Sequence, residues 1–424
     1  MKIFFVGDSP TVDTGFGVVA KNLLTRWQKM GHEIVVQGIN EYGDNPRILR
    51  NYDFPIYPAD KGGPEQVYGL RKVWPNIHRE NPDLVFFLND PWLIKNYMDI
   101  KPPEIGRYLK YVAYYPTDAP PIKKEWLEVL NQMDAQVCYS KYAEDVITYS
   151  NSNKRPENLY QIYHGVDTNT FFPMDQAYAR AKLGIPADLF VIGMVARNQP
   201  RKRFDLLMMA FAQFAKGKDD VKLYLHTGLR DIGFDIVDIV KQLDLDNKLI
   251  ITPDITPNQG VTPEELNLIY NSFDVNALIS LGDGFGLPVA ESMAVGCPQI
   301  VSGHSCLKEL VEGHGGLLVK NAALVLNSGG MNTWGGVSDV NDLVKQMNFM
   351  YNNPAKRIQM GEDAYRFITQ RQFSWDYAAQ QFDDIFKKVY HLIGGTGSVN
   401  ANIQLTDLGT PKNNAQQVQA AFSG

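Results

Sequence analysis

The sequence predicts an α/β protein with two open, doubly wound parallel sheets. Short, nearly continuous apolar segments of strand length alternate with segments whose apolar residues recur at helical spacing. This alternation is typical of parallel strands that are covered by helices on both faces. The pattern occurs in two successive series, and 424 residues exceed the length of one ordinary domain.

The first series begins at the N-terminus with the apolar strand KIFFVG. It continues through the polar, turn-rich DSPTVDTGFG, the amphipathic VVAKNLLTRWQKMG and the strand HEIVVQGI, which together form a βαβ unit. The segments PDLVFFLND, RYLKYVAYYPTD and DAQVCYS are expected to be further strands, with a helix from about Lys141.

The second series follows HGVDTNTFFPM. Its expected strands are LFVIGMVAR, VKLYLHTG, KLIITPDI, VNALISL and PQIVSG, and its expected helices are RFDLLMMAFAQFAK, TPEELNLIYNSFD and PVAESMAVG. Thr262 is in the position of an N-cap for the middle helix.

These patterns predict a first domain over residues 1–172 and a second over residues 173–373. The helical segment at about 374–393 is expected to complete the first domain. Residues 394–424 are rich in Gly, Ser, Thr, Asn and Gln, and we expect them to form a flexible tail. Residues 317–337 are longer and richer in Gly and Asn than a plain connection needs, which indicates a specificity loop.

The composition is that of a globular protein, with 44% hydrophobic and 21% charged residues. A net charge of -6 gives no polyanion-binding signature, so nucleic acid and acidic membranes are not favoured as partners. The three cysteines lack metal-ligand spacing and fit a reducing compartment. No apolar run has the length of a signal peptide or a membrane span, and we expect a cytoplasmic protein.

Two cations follow the first strand of the second series. Arg197 ends that strand and Lys202 lies five residues later, just before a helix. In open parallel sheets ligands bind outside the carboxyl ends of the strands, and cations beside a helix N-terminus can hold a diphosphate. The alternative is that RNQPRKR is a solvated basic turn.

Two acids bracket a glycine-rich turn in GDGFGLPVAESMAVG. Asp283 precedes the turn, and Glu291 lies one turn into the helix that follows. Gly284 and Gly286 permit close backbone approach to a ligand, and carboxylates accept hydrogen bonds from the vicinal hydroxyls of a sugar or a ribose. The alternative is a tight strand-to-helix turn with two surface acids.

The chain resembles the retaining GT-B glycosyltransferases of family four, the glycosyl transferases group 1, over about residues 1–390. The hallmark Glu-x7-Glu around Gly-Phe-Gly-Leu-Pro occurs here as DGFGLPVAE, with Asp283 in place of the first Glu. The Arg-x4-Lys element is present, but Arg203 follows it where the family usually has Gly. YHGVDTNTFFP and TGFGVVAKNLLTRWQKMGHEIVV also match the family in pattern, although the usual Gly-Gly is spread to Gly15-Phe16-Gly17.

The resemblance implies two Rossmann-like domains that face each other across a cleft, with the acceptor on the first domain and a nucleoside-diphosphate sugar on the second. It implies that Arg197 and Lys202 neutralise the donor diphosphate, that Glu291 binds the ribose and that Asp283 holds the transferred sugar. Backbone N–H groups of Gly284, Phe285, Gly286 and Leu287 would contact sugar and phosphate, and Gly15 and Gly17 would bring the first domain to the donor.

Many family members have a His near the position of Asp118, which lies here in YYPTDAPP. The resemblance implies that Asp118 has a role comparable to that of this His, near the donor sugar. The alternative for Asp118 is a capping or turn residue. No Asp-x-Asp suggests metal-held phosphates, so we expect neither metal nor cofactor.

The leading hypothesis is a retaining glycosyltransferase whose donor base, sugar, acceptor and oligomeric state the sequence leaves open. The alternatives are a glycosyltransferase that modifies a macromolecule, such as a modified nucleic-acid base, and a non-catalytic nucleotide-sugar-binding protein. The retention of Arg197, Lys202 and Glu291 argues against the non-catalytic alternative.

Overall fold

The computed structural model describes residues 1–44, 51–105, 109–253, 255, 260–327 and 331–391. Contacts divide the chain into two units. The first comprises Met1–Val12, Phe16–Ile162 and the chain from Ala379 on, and the second comprises Asp13–Gly15 and Tyr163–Ala378. The predicted flexible tail, 394–424, lies outside the described residues, as do the last two residues of the predicted C-terminal helix.

The first unit is built on a seven-stranded sheet. Its strands are β1 Lys2–Asp8, β2 Glu33–Ile39, β3 Ile56–Pro58, β4 Leu84–Leu88, β5 Lys110–Tyr115, β6 Ala135–Cys138 and β7 Leu159–Gln161. The spatial order is β3-β2-β1-β4-β5-β6-β7, and every pairing is parallel. Strands β1 and β4 are buried along almost their whole length, which explains their near-continuous apolar sequence.

Helices connect these strands. They are α1 Gly15–Lys29, α2 Pro64–Val67, α3 Val73–Glu80, α4 Pro91–Asp99, α5 Lys124–Leu130 and α6 Lys141–Ser150. Because β1 is followed in space by β2 on one side and β4 on the other, the strand order reverses beside β1. The segments that follow β1 and β4 therefore flank the topological switch point of this sheet.

The second unit has a six-stranded parallel sheet. Its strands are β8 Phe190–Val195, β9 Val221–His226, β10 Leu249–Ile251, β11 Val275–Leu278, β12 Gln299–Ser302 and β13 Gly316–Val319. The order β10-β9-β8-β11-β12-β13 places the switch point between β8 and β11.

Eight helices of the described chain belong to the second unit. They are α7 Gln176–Leu183, α8 Phe204–Phe214, α9 Ile236–Gln242, α10 Pro263–Asn271, α11 Leu287–Ala294, α12 Ser305–Val311, α13 Val340–Asn352 and α14 Pro354–Ile368. Thr262 caps α10 as predicted, in a capping box with Glu265. Both units are doubly wound parallel sheets, so the predicted α/β class is confirmed.

Residues 317–337, interpreted above as a specificity loop, contain strands, and a role of this segment in specificity stays a prediction. Its start is strand β13, and its remainder contains two antiparallel strands, β14 Asn321–Leu326 and β15 Trp334–Ser338. Residues 328–330, between these strands, lie outside the described part of the chain. Strand β14 buries neither of its faces. Its sequence, NAALVL, therefore lacks the alternation of apolar and polar residues that identifies a half-buried strand.

The C-terminal helix, α15 Trp375–His391, begins in the second unit and packs on the first. The indole N–H of Trp27 donates to the carbonyl of Ala379 at 3.2 Å. The Trp27 ring also meets Phe382 and Phe386 edge-on, at centroid distances of 5.6 and 5.0 Å. Helix α15 thus supplies part of the aromatic core that covers the sheet of the first unit.

Candidate active site

The loops that follow β8 and β11 form the candidate site of the second unit. These strands are parallel neighbours at the switch point, so their carboxyl ends emerge side by side. The β8 loop carries Arg197 and Lys202, and the β11 loop carries Asp283. The sheet topology therefore brings together groups that are 81 residues apart in the sequence.

Arg197 is held by a carboxylate of a neighbouring loop. The amide of buried Asn198 donates to the carbonyls of Gly228 and Phe234 and accepts from the Phe234 N–H, which fixes the loop after β9. This loop presents Asp231 to the Arg197 guanidinium at 2.8 and 3.2 Å. Contact with Arg197 lowers the pKa of Asp231. The Arg197 side chain is nearly half exposed, so its charge is partly accessible to solvent.

Lys202 ends a short 3₁₀ turn, Pro200–Lys202, and only 6% of the residue is exposed. The carbonyl of Arg201 in this turn accepts the backbone N–H of Leu281 at 2.8 Å, which joins the β8 and β11 loops. Arg203, the departure from the usual Gly, adopts a left-handed φ of 39°. Glycine takes such a backbone conformation without steric cost, which gives a physical reason for the usual residue there.

Lys202 and Arg201 form a pair of cations around the buried carboxylate of Asp283. The Lys202 ammonium lies 2.8 Å from both carboxylate oxygens of Asp283, and Arg201 Nη1 lies 3.1 Å from Oδ1. Burial alone would raise the pKa of Asp283. The attraction of Lys202 and Arg201 outweighs burial, so this pKa falls to about 2 and the carboxylate is ionised at neutral pH.

The turn from Gly284 to Leu287 leads into α11. Gly286 has a left-handed φ of 90°, and a Cβ on it would lie 2.7 Å from Leu307 Cδ2, so both the backbone and the packing require glycine. The Phe285 ring is buried against His164, at a centroid distance of 4.9 Å. A ligand contact from Phe285 would therefore come from its backbone.

Glu291 is buried in α11 in surroundings unlike those of Asp283. Its Oε2 accepts the hydroxyl of Tyr270, which is on α10, at 2.8 Å. Burial disfavours the charged carboxylate and raises the pKa of Glu291 to about 7, although the hydrogen bond from Tyr270 partly opposes this shift. Glu291 can therefore change protonation near neutral pH.

Three predicted site residues lie outside these two loops and helix α11. Asp118 follows β5 in the first unit and is half-buried. Gly17 is buried in the first turn of α1, where a Cβ would meet the Val12 carbonyl at 2.2 Å. Gly15 groups with the second unit, and a Cβ on it would lie 3.9 Å from Leu287 Cδ1. The close contact with the Val12 carbonyl is sufficient to explain why residue 17 is glycine.

The sequence analysis missed two side chains of the site. Arg201 contacts Asp283 and also donates to the Gly282 carbonyl at 2.8 Å, yet it stands in the basic run that was interpreted only through Arg197 and Lys202. Tyr270 was assigned to a helix without a role. A signal for Tyr270 was its place on α10, immediately before the strand whose loop carries Asp283.

Within the described residues, no group of three or more His, Cys, Asp or Glu side chains is arranged to hold a metal ion. Among the same residues, no helix is both long and apolar enough to cross a membrane.

Residues 175–367 match the family model of the glycosyl transferases group 1. The match contains β8 to β13 and the loops that carry Arg197, Lys202, Asp283 and Glu291. This segment belongs to the glycosyl transferases group 1. The group 1 segment therefore coincides with most of the second unit.

Curated relatives resemble part of the chain. A D-inositol 3-phosphate glycosyltransferase from Nocardioides sp. is 26% identical over 242 residues, which are 55% of this chain and 49% of the relative. The protein of the same name from Mycobacteroides abscessus is 31% identical over 175 residues, 41% of this chain and 38% of the relative. The chain thus spans about half or less of the length of these relatives.

Solved structures resemble nearly the whole chain. A sucrose-phosphate synthase from Thermosynechococcus elongatus aligns with a TM-score of 0.73 and 18% identity, covering 92% of this chain and 100% of that one. The Anabaena protein HepE, solved in complex with UDP-glucose, aligns with a TM-score of 0.68 at 18% identity, with the same coverage. At this identity the likeness establishes the fold, which is GT-B as predicted.

Proposed function

We propose that the chain is a retaining glycosyltransferase that moves a sugar from a nucleoside-diphosphate sugar to an acceptor. The observation that carries the proposal is the cluster of Lys202, Arg201 and Asp283 at the switch point of a group 1 segment, with Glu291 in the helix that follows. The names of the relatives and the UDP-glucose bound to the similar HepE support a nucleotide-sugar donor.

The departing diphosphate sets the main electrostatic demand of this reaction. Lys202 and Arg197 neutralise the negative charge that develops when the bond from the sugar to the phosphate breaks. Backbone N–H groups at the start of α11 add a favourable field for phosphate. For the donor to reach these cations, its phosphates compete with Asp231 for Arg197 and with Asp283 for Lys202.

The two acids bind different hydroxyl groups of the donor. Glu291 accepts the ribose hydroxyls in its ionised form, and Asp283 accepts hydroxyls of the transferred sugar. In the retaining reaction the acceptor approaches from the face that the diphosphate leaves, and a donor phosphate oxygen takes the acceptor proton. Asp118 and the acceptor belong to the first domain in this proposal, and Gly15 and Gly17 contact the donor through their backbone.

A non-catalytic nucleotide-sugar-binding protein is a second candidate. The observation in its favour is that Arg197 and Lys202 both have carboxylate partners, which weakens their availability to a leaving group. A glycosyltransferase that modifies a macromolecule differs from the first proposal only in its acceptor.

A donor screen tests the proposal. The melting temperature of the full chain is measured with UDP, GDP, ADP and their sugar conjugates, and the release of nucleoside diphosphate is followed for each donor that binds. Binding stabilises the protein by mass action, by about 2.7 kcal/mol at a hundredfold excess over Kd. Stabilisation with turnover supports the enzyme, and the anomeric configuration of the product then tests retention. Stabilisation without turnover, with every acceptor and with water, favours the non-catalytic protein.

A further inference from the structure

The base of the hairpin formed by β14 and β15 packs on the β11 loop, which carries Asp283. The N–H of Gly336 in β15 donates to the Leu281 carbonyl at 3.1 Å. A Cβ on Gly335 would lie 2.7 Å from the same carbonyl, so the two backbones are in direct contact. The N–H of Leu281 in turn donates to the Arg201 carbonyl at 2.8 Å. Leu281 is therefore held both by the hairpin and by the β8 loop.

Buried serines form a second connection between the hairpin and the β11 loop. The hydroxyl of Ser338, the last residue of β15, lies 2.9 Å from that of Ser302, the last residue of β12. Ser302 Oγ accepts the N–H of Ser280 at 2.9 Å, and the Ser280 hydroxyl donates to the Gly282 carbonyl at 2.8 Å. All three serines are buried, so this connection to the residue beside Asp283 is shielded from water.

The side chain of His304 forms a third connection. His304 follows β12, and its Nδ1 lies 2.9 Å from Oδ1 of Asn321, the first residue of β14. A Cβ on Gly336 would lie 2.6 Å from this Nδ1 and 2.7 Å from this Oδ1, so the pair lies directly over the β15 backbone. Burial lowers the pKa of His304, although the Leu281 carbonyl and the charge of Asp283 oppose this shift. A neutral ring is therefore in contact with both the hairpin and the β11 loop.

The backbone next to His304 is itself fixed to the β11 loop. Ser305 is buried and has a left-handed φ of 58°. A residue other than glycine keeps such a conformation only where the surrounding structure holds it. The thiol of Cys306 donates to the Asp283 carbonyl at 3.0 Å. The side chain of His304 is thus the part of this segment that reaches the hairpin.

We propose that His304 is a positioning residue for Asp283, through which the β14–β15 hairpin affects the binding of the transferred sugar. This inference rests on the proposed function, in which Asp283 accepts the sugar hydroxyls and Glu291 the ribose hydroxyls. Hydrogen bonds weaken steeply outside a narrow range of distance and angle, so a loosened β11 loop weakens the contact with the sugar.

The ribose end of the site has a different support. Glu291 lies in α11 and is held by the hydroxyl of Tyr270 on α10 at 2.8 Å, rather than by the hairpin. Loss of the contact between His304 and Asn321 should therefore reduce the affinity for a nucleoside-diphosphate sugar more than that for the nucleoside diphosphate. A hairpin that only stabilises the fold would not separate the two ligands.

Hydrogen exchange of the full chain without ligand is the first measurement, in peptides that cover residues 279–283. His304→Leu and Asn321→Ala each remove the contact, and exchange should become about fivefold faster, as expected for the loss of one ordinary hydrogen bond. His304→Asn places an amide at the position of Nδ1 and should restore slow exchange. His314→Leu is the matched control, because His314 is a half-buried histidine of the same unit that stacks on Phe367. It should exchange like the unaltered chain.

Calorimetric titration is the second measurement, with UDP and UDP-glucose as the first pair of probes. GDP with GDP-mannose and ADP with ADP-glucose are used in the same way. His304→Leu and Asn321→Ala should weaken the nucleotide sugar by about fivefold or more and leave the nucleoside diphosphate within about twofold. His304→Asn should bind both ligands like the unaltered chain. Asn321 is exposed, so Asn321→Ala preserves the test if His304→Leu does not fold.

Three outcomes overturn the proposal: exchange that neither variant changes, equal losses of affinity for both ligands, and an effect of His314→Leu as large as that of His304→Leu. Failure of the proposed function has a different signature, because then no nucleotide or nucleotide sugar binds the unaltered chain. In that case the exchange measurement still decides whether His304 positions the loop that carries Asp283.

Discussion

Asp283 and Glu291 are carboxylates of one short segment, and both are buried, yet their surroundings differ in charge. Asp283 lies among two cations that reach it from the β8 loop. Glu291 has the neutral Tyr270 hydroxyl as its hydrogen-bond partner. The pKa of the first carboxyl falls to about 2, whereas that of the second rises to about 7.

This difference shows that burial alone does not decide the protonation state of a carboxyl group. Desolvation raises the pKa of both groups, and only nearby cations reverse it at Asp283. Asp283 is therefore permanently charged at neutral pH and tied to Lys202, so a ligand that binds Lys202 also changes the surroundings of Asp283. Glu291 is nearer to neutrality and gains most from a ligand that donates hydrogen bonds to its ionised form.

The largest effect is expected from Asp283→Asn. Loss of the carboxylate removes the negative charge that lies 2.8 Å from the buried Lys202 ammonium, which should lower the free energy of unfolding by about 3–5 kcal/mol at pH 7. Urea denaturation followed by circular dichroism measures this change. In the unaltered protein the depressed pKa means that this stabilisation is present above about pH 4 and is lost as pH falls towards 2.

The double variant Asp283→Asn with Lys202→Met provides the control. Removal of the ammonium should restore a large part of the loss, because no buried charge is then uncompensated. A loss below about 1 kcal/mol in the single variant would mean that Lys202 reaches solvent easily and that the ion pair is weak.

A pH-dependent effect is expected from Glu291→Gln in the protein without ligand. The folded carboxyl holds its proton to about pH 7 and the unfolded one to about 4.5, so the unaltered protein loses stability as pH rises between these values. Relative to the unaltered protein, the free energy of unfolding of Glu291→Gln should rise by up to about 3 kcal/mol between pH 4.5 and pH 8. Denaturation curves at several pH values measure the difference. A difference that stays constant with pH would contradict the raised pKa.

Lys202→Met tests the proposed role of Lys202 in stabilising the departing diphosphate. Methionine keeps the length of the side chain but removes the charge that faces the departing diphosphate. Turnover at saturating donor should fall on the order of a hundredfold. Nucleoside diphosphate release measures it, with melting temperature as the check that the variant is folded. Near-normal turnover would remove Lys202 from the proposed mechanism.

The smallest effect is expected from Arg201→Ala. Arg201 is about one-third exposed, and Lys202 still pairs with Asp283 in the variant. We expect a loss of unfolding free energy of about 1 kcal/mol or less. A loss as large as that of Asp283→Asn would show that Arg201, rather than Lys202, is the main counter-charge of Asp283.

Much of the fold follows from local sequence patterns. The buried strands of both sheets are apolar runs, and Thr262 with Glu265 forms the capping box that Thr-Pro-Glu-Glu indicates. The β14–β15 hairpin escaped prediction because its outer strand buries no face, so its sequence lacks the alternation that identifies half-buried strands.

The candidate site was only partly predictable for a different reason. The sequence identified Lys202 and Asp283 separately, but their contact depends on β8 and β11 being neighbours in the sheet. Local periodicity contains no information about which strands pair across 81 residues. The hydrogen bond between Tyr270 and Glu291 likewise depends on how α10 packs beside α11.

Calorimetric titration of two variants with two ligands tests the central claim most directly, that the two carboxylates bind different parts of one donor. Glu291→Gln should weaken nucleoside diphosphate and the complete sugar donor alike, by about 1.5–3 kcal/mol, because the ribose is common to both. Asp283→Glu keeps the charge beside Lys202, so it should leave nucleoside diphosphate affinity within about twofold and change the affinity for the sugar donor by about tenfold or more. If Asp283→Glu instead changes the affinity for both ligands equally, the division of the donor between the two acids is wrong.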